Sequence, residues 1–259
     1  MNKFMDCFAF NPSKSLLMGV ERECFLTNNN GEIVPIADKV LKHLMQSRPV
    51  TDLSWGYELS ACQLESRCGP CSLDEIEKSL MAQEQEITVV EKQIGFSRNH
   101  DEVAPETMPL DVFPDPSGRY QEIVKKMPRE VLLAACRVIG THIHVGMPNH
   151  EDALRVYNSA IDHTNVLCKL GDKSEGKRLE IYKVVAPECL PPRFESWQEF
   201  HTTAIKKGFD SDPRKCWTLI RISKHGTIEF RMFGATKDIC EISRWAKYCH
   251  KICRDALLS

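Results

Sequence analysis

The sequence predicts a single α+β domain, and three observations carry that prediction. Short stretches that alternate apolar and polar residues, such as Gly19 to Leu26 and Thr227 to Phe233, are separated by longer segments whose apolar residues recur at helical spacing. The chain has no internal repeat, no low-complexity tract and no linker-like segment that would divide it. Its 259 residues suffice for one large core, and 42% hydrophobic with 27% charged residues is the make-up of an ordinary soluble globular protein. One domain over residues 1–259 is expected.

Leu17 to Leu26 is the first strand. Side chains alternate faces along it, so Glu21 and Glu23 share one face, while Val20, Cys24 and Leu26 take the other together with Arg22. Asn28-Asn29-Asn30-Gly31 is a turn, with a short return strand expected near Glu32 to Pro35. Asp38 to Gln46 is a short helix that buries Val40, Leu41, Leu44 and Met45. Trp55-Gly56-Tyr57 reads as a turn and Glu58 to Glu65 as a strand. Ser72 to Glu75 forms a capping box opening a long helix through Gln93. Pro105 to Pro128 carries five prolines and is a loop, followed by a helical run to Cys136. Arg137 to Gly146 is a strand, Glu151 to Leu170 an amphipathic helix, and Gly171 to Gly176 a polar loop. Trp197 to Lys207 is helical. Trp217 to Ser223 and Thr227 to Phe233 are strands joined at Lys224-His225-Gly226, and Asp238 to Leu258 closes the chain as a helix.

A net charge of −2 gives no field favouring nucleic acid or an anionic membrane. No apolar run approaches the roughly 20 residues that span a bilayer. Met1 to Leu17 lacks a signal-peptide layout. Twelve cysteines without such a layout point to a reducing compartment, where most are small buried hydrophobes. A cytoplasmic protein without nucleic-acid or membrane partners is expected.

Glu21 and Glu23, one strand step apart on one face, repel each other unless a cation lies between them. They are either a solvated strand face or part of a hard-metal site, since magnesium prefers carboxylate oxygen. His142 and His144 also share a strand face. Alone, H-x-H fits a zinc site, an acid–base pair or two satisfied core histidines, and no Cys/His spacing supports a structural zinc. Near the C-terminus, Thr227, Glu229 and Arg231 face away from Ile228, Phe230 and Met232. Arg221, among apolar neighbours, needs an anionic partner, and phosphate suits its planar fork. Glu65 shares a face with Gln63, whereas Glu58 has the wrong parity unless a bulge or a strand start near Leu59 brings it round. Cys68-Gly69-Pro70-Cys71, between a strand and a helix N-terminus, has a thioredoxin-like layout that would lower the pKa of Cys68. The βαβ unit that would surround such a motif is not evident, so a thiol oxidoreductase is the lesser alternative.

With G-V-E-R-E at 19–23, Q-L-E at 63–65, G-T-H-I-H-V-G at 140–146 and G-T-I-E-F-R at 226–231 in order, the chain resembles the glutamate–cysteine ligase family, in its GCS2-type carboxylate–amine ligase branch. The resemblance covers roughly Gly19 to Gly234 and implies a single catalytic domain with a glutamine-synthetase-like fold. In that fold an antiparallel sheet curls into a funnel lined by acidic residues, with helices packed on its outer face. It also implies ATP and Mg²⁺ (or Mn²⁺) as cofactors, small-molecule amino-acid and amine substrates, and an amide formed through an acyl phosphate. Glutamate–cysteine ligation itself is one such activity. By position, Glu21, Glu23, Glu58, Glu65, His142 and Glu229 are the implied metal ligands. Arg231 is implied to hold the transferring phosphoryl group, Arg221 and Arg178 match nucleotide-binding arginines, and His142 binds phosphate or metal. His144 is the simplest choice of base for the incoming amine.

The chain also departs from the family pattern. Members are usually longer, an A-N-S-P stretch is missing, Arg22 replaces an acidic residue, and Gly234 stands where many carry Asp. These changes spare the implied metal ligands and bear on the acceptor pocket. A Mg-ATP or amino-acid binding module without turnover is therefore the main alternative. A homodimer is compatible with the sequence, which fixes no oligomeric state.

Overall fold

The alternating stretches pair into one antiparallel sheet. The structure, a computed structural model, describes residues 2–46, 48, 49 and 54–259. Its strands are β1 (Met18–Thr27), β2 (Trp55–Tyr57), β3 (Gln63–Cys71), β4 (Ser97–Asn99), β5 (Gly140–Gly146), β6 (Ile220–Ser223) and β7 (Thr227–Gly234). They run in the order β2-β3-β1-β5-β7-β6, with β4 pairing the far end of β1. The helices are α1 (Asn2–Met5), α2 (Ala37–Met45), α3 (Ile76–Ile94), α4 (Arg119–Val124), α5 (Arg129–Arg137), α6 (His150–Ile161), α7 (Thr164–Gly171), α8 (Lys177–Val185), α9 (Trp197–Lys207) and α10 (Ile239–Leu258). The expected α+β architecture, an antiparallel sheet backed by helices, is present.

The period-two pattern decides which face the helices cover. Met18 and Val20 of β1, Ile143 and Val145 of β5, Ile220 and Ile222 of β6, and Ile228, Phe230 and Met232 of β7 form one core with Trp245 of α10 and Val156 of α6. Fully burying each such side chain contributes about 1.5–3 kcal/mol, so the face is strongly specified. A one-residue slip would expose all of them. A second cluster joins Cys24, Leu26 and Leu64 to α2 and α3. The opposite faces of β1, β5 and β7 carry the polar residues, except at the end of β1, where Phe25 joins a third apolar cluster with Cys62, Met108 and Ile139.

Several elements differ from the sequence expectation. Trp55-Gly56-Tyr57 is a strand, not a turn, because it pairs with Ser66, Glu65 and Leu64 of β3. The guanidinium of Arg67 lies over Gly56, in space that a Cβ there would occupy, so a larger residue would require that flexible side chain to move. The strand expected from Glu58 begins only at Gln63, and it continues past Glu65 through the CGPC stretch, pairing Val20 with Cys68 and Met18 with Cys71. Cys68 therefore lies in a sheet and not at a helix N-terminus, and burial pushes its thiol up to about 12, which removes the physical basis of the redox alternative. In place of the return strand, Ile33 makes a single bridge to Thr27. The long helix from Glu151 breaks after Ile161, where the Thr164 hydroxyl donates to the Ile161 carbonyl at 2.7 Å. Helices α4 and α8 and strand β4 were not expected. In α8 the buried residues are Arg178 and Tyr182, so its apolar period is weak.

Candidate active site

Cross-strand register assembles a row of charged side chains over five adjacent strands. Glu65 of β3 faces Glu23 of β1, Glu21 of β1 faces His142 of β5, His144 of β5 faces Glu229 of β7, and Glu229 faces Arg221 of β6. All of them share the sheet face turned away from the helical core, as parity requires. Glu58 joins from the end of β2, whose Gly56 pairs with Glu65. Its sequence parity relative to Glu65 is irrelevant, since Glu58 follows the end of β2 while Glu65 lies on β3.

The row contains two clusters whose donor atoms could hold a cation. One is Glu21, His144 and Glu229, and the other is Glu23, Glu58 and Glu65. Within each, one ligand atom from every residue lies within 4.8 Å of the others. His142 stands between them, with Nδ1 3.3 Å from Glu21 and 3.9 Å from Glu229, and Nε2 3.8 Å from Glu23.

The first cluster is largely compensated by cations. Glu229 is fully buried, held by Arg221 through Nε at 2.7 Å and Nη2 at 2.9 Å, and by Arg231 through Nη1 at 2.5 Å. Burial alone would raise its carboxyl, but Arg221, His144 and Arg231 outweigh it and hold the group far below the usual range. Glu21 is likewise held well down, with burial opposed by His144 and His142. His144 is raised, because Glu229 and Glu21 prevail over its burial. Its Nδ1 bonds to the Thr227 hydroxyl at 2.8 Å. Its buried Nε2 has no hydrogen-bond partner and lies 3.6 Å from Glu21 and 4.0 Å from Glu229. Those gaps are too wide for hydrogen bonds, yet an orphaned nitrogen facing two carboxylates, its other nitrogen anchored, is how metal-ligating histidines are set.

The second cluster is less compensated, with Arg67 as the cation paired to it. Burial, then the charge of Glu23, pushes Glu58 up to about 7. Burial, with Glu21 and Glu58, pushes Glu65 well above its ordinary value, and its one paired cation is Arg67. Glu23 accepts a bond from the Gly140 amide at 2.7 Å. Three carboxylates crowded in this way fit an oxygen-preferring divalent ion such as Mg²⁺.

The remaining expected site residues fall differently. Arg178 is buried and donates to the main-chain carbonyls of Ile139, Met232 and Arg231 at 2.7, 3.2 and 3.3 Å. It braces β5 against β7, and a phosphate would have to displace those bonds. Arg221 is paired with the Glu229 carboxylate through two bonds, so a phosphate there would share it with that anion. His144, expected as an amine base, lies with the carboxylates of the first cluster. Sequence reasoning missed Thr227 as the anchor of His144 and Arg67 as the partner of Glu65. Shared strand parity was the available signal for both.

A helix-backed antiparallel sheet presenting strand-borne carboxylates and histidines in two cation-sized clusters defines the class: an α+β protein with an acidic, metal-competent face. The model of the glutamate-cysteine ligase family 2 (GCS2) matches residues 17–259, and the chain belongs to that family. It is 26% identical over 250 residues to the "putative glutamate–cysteine ligase 2" of Gloeobacter violaceus, covering 90% of this chain and 66% of that protein. It is 29% identical over 127 residues to the glutamate–cysteine ligase of Halobacterium salinarum, covering 44% of this chain and 35% of that one. The crystal structure of a bifunctional glutathione synthetase from Pasteurella multocida superimposes with a TM-score of 0.60 at 12% identity, over 99% of this chain and 39% of that chain, which shows the shared fold. The chain thus spans less than two thirds of each of these proteins. Among the described residues no helix is long and apolar enough to cross a membrane.

Proposed function

We propose that the chain is an ATP-dependent carboxylate–amine ligase, with glutamate and cysteine as the first substrate pair to test. The observation that carries this reading is the pair of cation-sized clusters set one strand step apart, at Glu21 and Glu23 of β1. Two adjacent cation sites are what a polyphosphate cofactor needs in an otherwise acidic cleft. Glu21, His144 and Glu229 would hold one Mg²⁺ or Mn²⁺, and Glu23, Glu58 and Glu65 another. When bound, these ions supply charge neutralisation for phosphate oxygens and for the crowded carboxylates themselves.

The reaction would run in two balanced steps. The γ-phosphoryl group of ATP passes to an oxygen of the substrate carboxylate, giving ADP and an acyl phosphate. The amine then attacks the acyl carbon, expels phosphate, loses a proton and leaves an amide. The chain's own contributions are positional and electrostatic. Arg231 bonds to Glu229 through Nη1 and keeps a buried Nε without a hydrogen-bond partner; in this reading its guanidinium holds the transferring phosphoryl group. Arg221 fixes the Glu229 carboxylate in one orientation through two bonds. Thr227 sets the ring of His144, and His142 bridges the two clusters as a neighbour of Glu21, Glu23 and Glu229.

The test is a coupled ADP-release screen over amino-acid and amine pairs in Mg²⁺. The reading expects ADP release that requires one carboxylate and one amine together, with phosphate and amide formed in equal amounts. ADP release that ignores both substrates, or none with any pair despite tight Mg-ATP binding, would contradict it.

A further inference from the structure

Behind the acidic row, on the helix-facing side of β1, lies a buried cation that the row does not use. Arg22 stands between Glu21 and Glu23 in the chain but on the opposite face, where only 5% of its side chain is exposed. Its Nη2 donates to the Glu84 carboxylate of α3 at 2.6 Å. Its Nε and Nη1 are buried without a hydrogen-bond partner among the described residues. Buried donors of a charged group are rarely left unmade, so atoms of this kind mark a place where a guest is held. A small cavity of about 10 Å³ adjoins them, lined by Arg22, Cys24, Ser66, Arg98 and His100, with Trp55 and Glu23 completing the wall. Roughly that volume holds one guest the size of a water molecule.

The acceptors around this cavity are already engaged. Glu84 takes Arg98 Nη1 at 2.9 Å and Nη2 at 3.0 Å besides its bond from Arg22, and Glu91 takes Arg98 Nε at 2.8 Å. Glu23 turns its carboxylate to the other face of the sheet, where it accepts from the Gly140 amide. The indole N–H of Trp55 donates to Glu86. Burial, with the charges of Arg22 and Arg98, pushes the His100 ring down to about 4, so it is neutral at pH 7. A water molecule would have to turn its hydrogens toward carboxylates that are already bonded, whereas a monatomic anion needs donors only. We infer that the cavity is a site for one halide-sized anion, of which chloride is the probe, held by an unpaired nitrogen of Arg22 with Arg98 and the Ser66 hydroxyl beside it. Two guanidiniums balance Glu84 and Glu91, so fixed donors rather than excess charge hold the ion, and its binding is weak. The anion would brace, from behind, the segment of β1 that supplies one acid to each cation cluster. The inference does not depend on the ligase reading.

Crystals soaked in sodium bromide, together with melting curves in a chloride series, test the inference. Bromide should give an anomalous-scattering peak inside the cavity, in contact with the Arg22 guanidinium. At fixed ionic strength, sodium chloride should replace sodium gluconate, whose anion is too large to enter. Each tenfold increase in chloride beyond the binding midpoint should then raise the Tm by about 3–6 °C. Arg22→Met removes the unpaired donors while Arg98 still holds Glu84, and it should abolish both the peak and the chloride dependence. Ordered water in the cavity in place of bromide would overturn the inference. So would an equal chloride dependence in Arg22→Met, which would place the effect elsewhere on the protein. A bromide peak with no chloride dependence of the wild-type Tm marks an adventitious ion only and overturns it as well. If Arg22→Met fails to fold by circular dichroism, the wild-type bromide map and chloride series decide alone.

Discussion

Replacing Glu229 with Gln should destabilise the protein far more than loss of a surface ion pair would. The carboxylate is fully buried, and the two guanidiniums that hold it are only 14% and 9% exposed. Gln keeps the shape but leaves two buried cations facing a neutral acceptor. Removing one partner of a buried pair costs about 3–5 kcal/mol. Arg221 has partial relief, because it also donates to the carbonyls of Cys216 at 2.9 Å and Arg214 at 3.2 Å. The lower end, about 3 kcal/mol, is therefore expected, which would lower the Tm of this chain by roughly 6–12 °C. Arg231→Met alone should be milder, about 1–2 kcal/mol, since Arg221 still neutralises Glu229. In the double variant one orphaned cation is gone, so the loss should fall short of the sum by about 1–2 kcal/mol. Urea unfolding of the four proteins in EDTA, followed by circular dichroism, measures all three quantities. A Glu229→Gln loss under about 1 kcal/mol, or strict additivity, would refute the claim that this carboxylate is the counter-ion of both arginines.

Manganese titration followed by electron paramagnetic resonance should find two bound ions, with Glu58→Gln or Glu65→Gln abolishing one and sparing the other; loss of both together would mean the clusters are not separate sites. On the helical side of the sheet, burial alone would raise Glu84, but bonds from Arg98 and the charge of Arg22 hold it down to about 2. A carboxyl lowered from 4.5 to about 2 stabilises the fold above pH 4.5, and that stability is lost as pH falls toward about 2. The full effect would be about 3 kcal/mol, reduced to about 1–2 by partial exposure; Glu84→Gln should flatten stability over that window, and an unchanged acid profile would count against the pairing. Cys240 is the exposed thiol among the described cysteines, whereas burial pushes Cys68 up to about 12. Aromatic disulfide reagent at pH 8 should therefore modify Cys240 quickly and Cys68 only on unfolding, a prediction lost if mass spectrometry finds Cys68 among the first sites labelled.

Local alternation was enough to put Glu21, Glu23, His142, His144 and Glu229 on polar faces, because a strand's two faces are fixed by parity. What alternation cannot carry is which strand lies beside which. The grouping of His144 with Glu21 and Glu229 depends on the β5–β7 and β1–β5 registers, and those follow from long-range pairing. For the same reason Trp55-Gly56-Tyr57 reads as a turn in isolation and becomes a strand only beside Ser66 to Leu64. Arg178 was singled out by resemblance alone, and only the tertiary structure reveals the three main-chain carbonyls to which its buried guanidinium donates.

The division of labour along β1 has a consequence for how this chain tolerates change. Glu21 serves one cluster and Glu23 the other, so roughly 6.7 Å of extended backbone works as a ruler between them. Point substitutions alter a tooth of the ruler; an insertion or deletion between residues 20 and 23 alters its pitch, turning one carboxylate into the apolar core while the other keeps its place. The pairing of β1 with β3 already has its irregularity between Met18 and Val20, upstream of both acids, where a frame change can be absorbed. A library of single-codon insertions and deletions should accordingly survive around residues 28–31 and at 18–19, and fall to zero across 20–23, a boundary far sharper than any amino-acid replacement scan would draw.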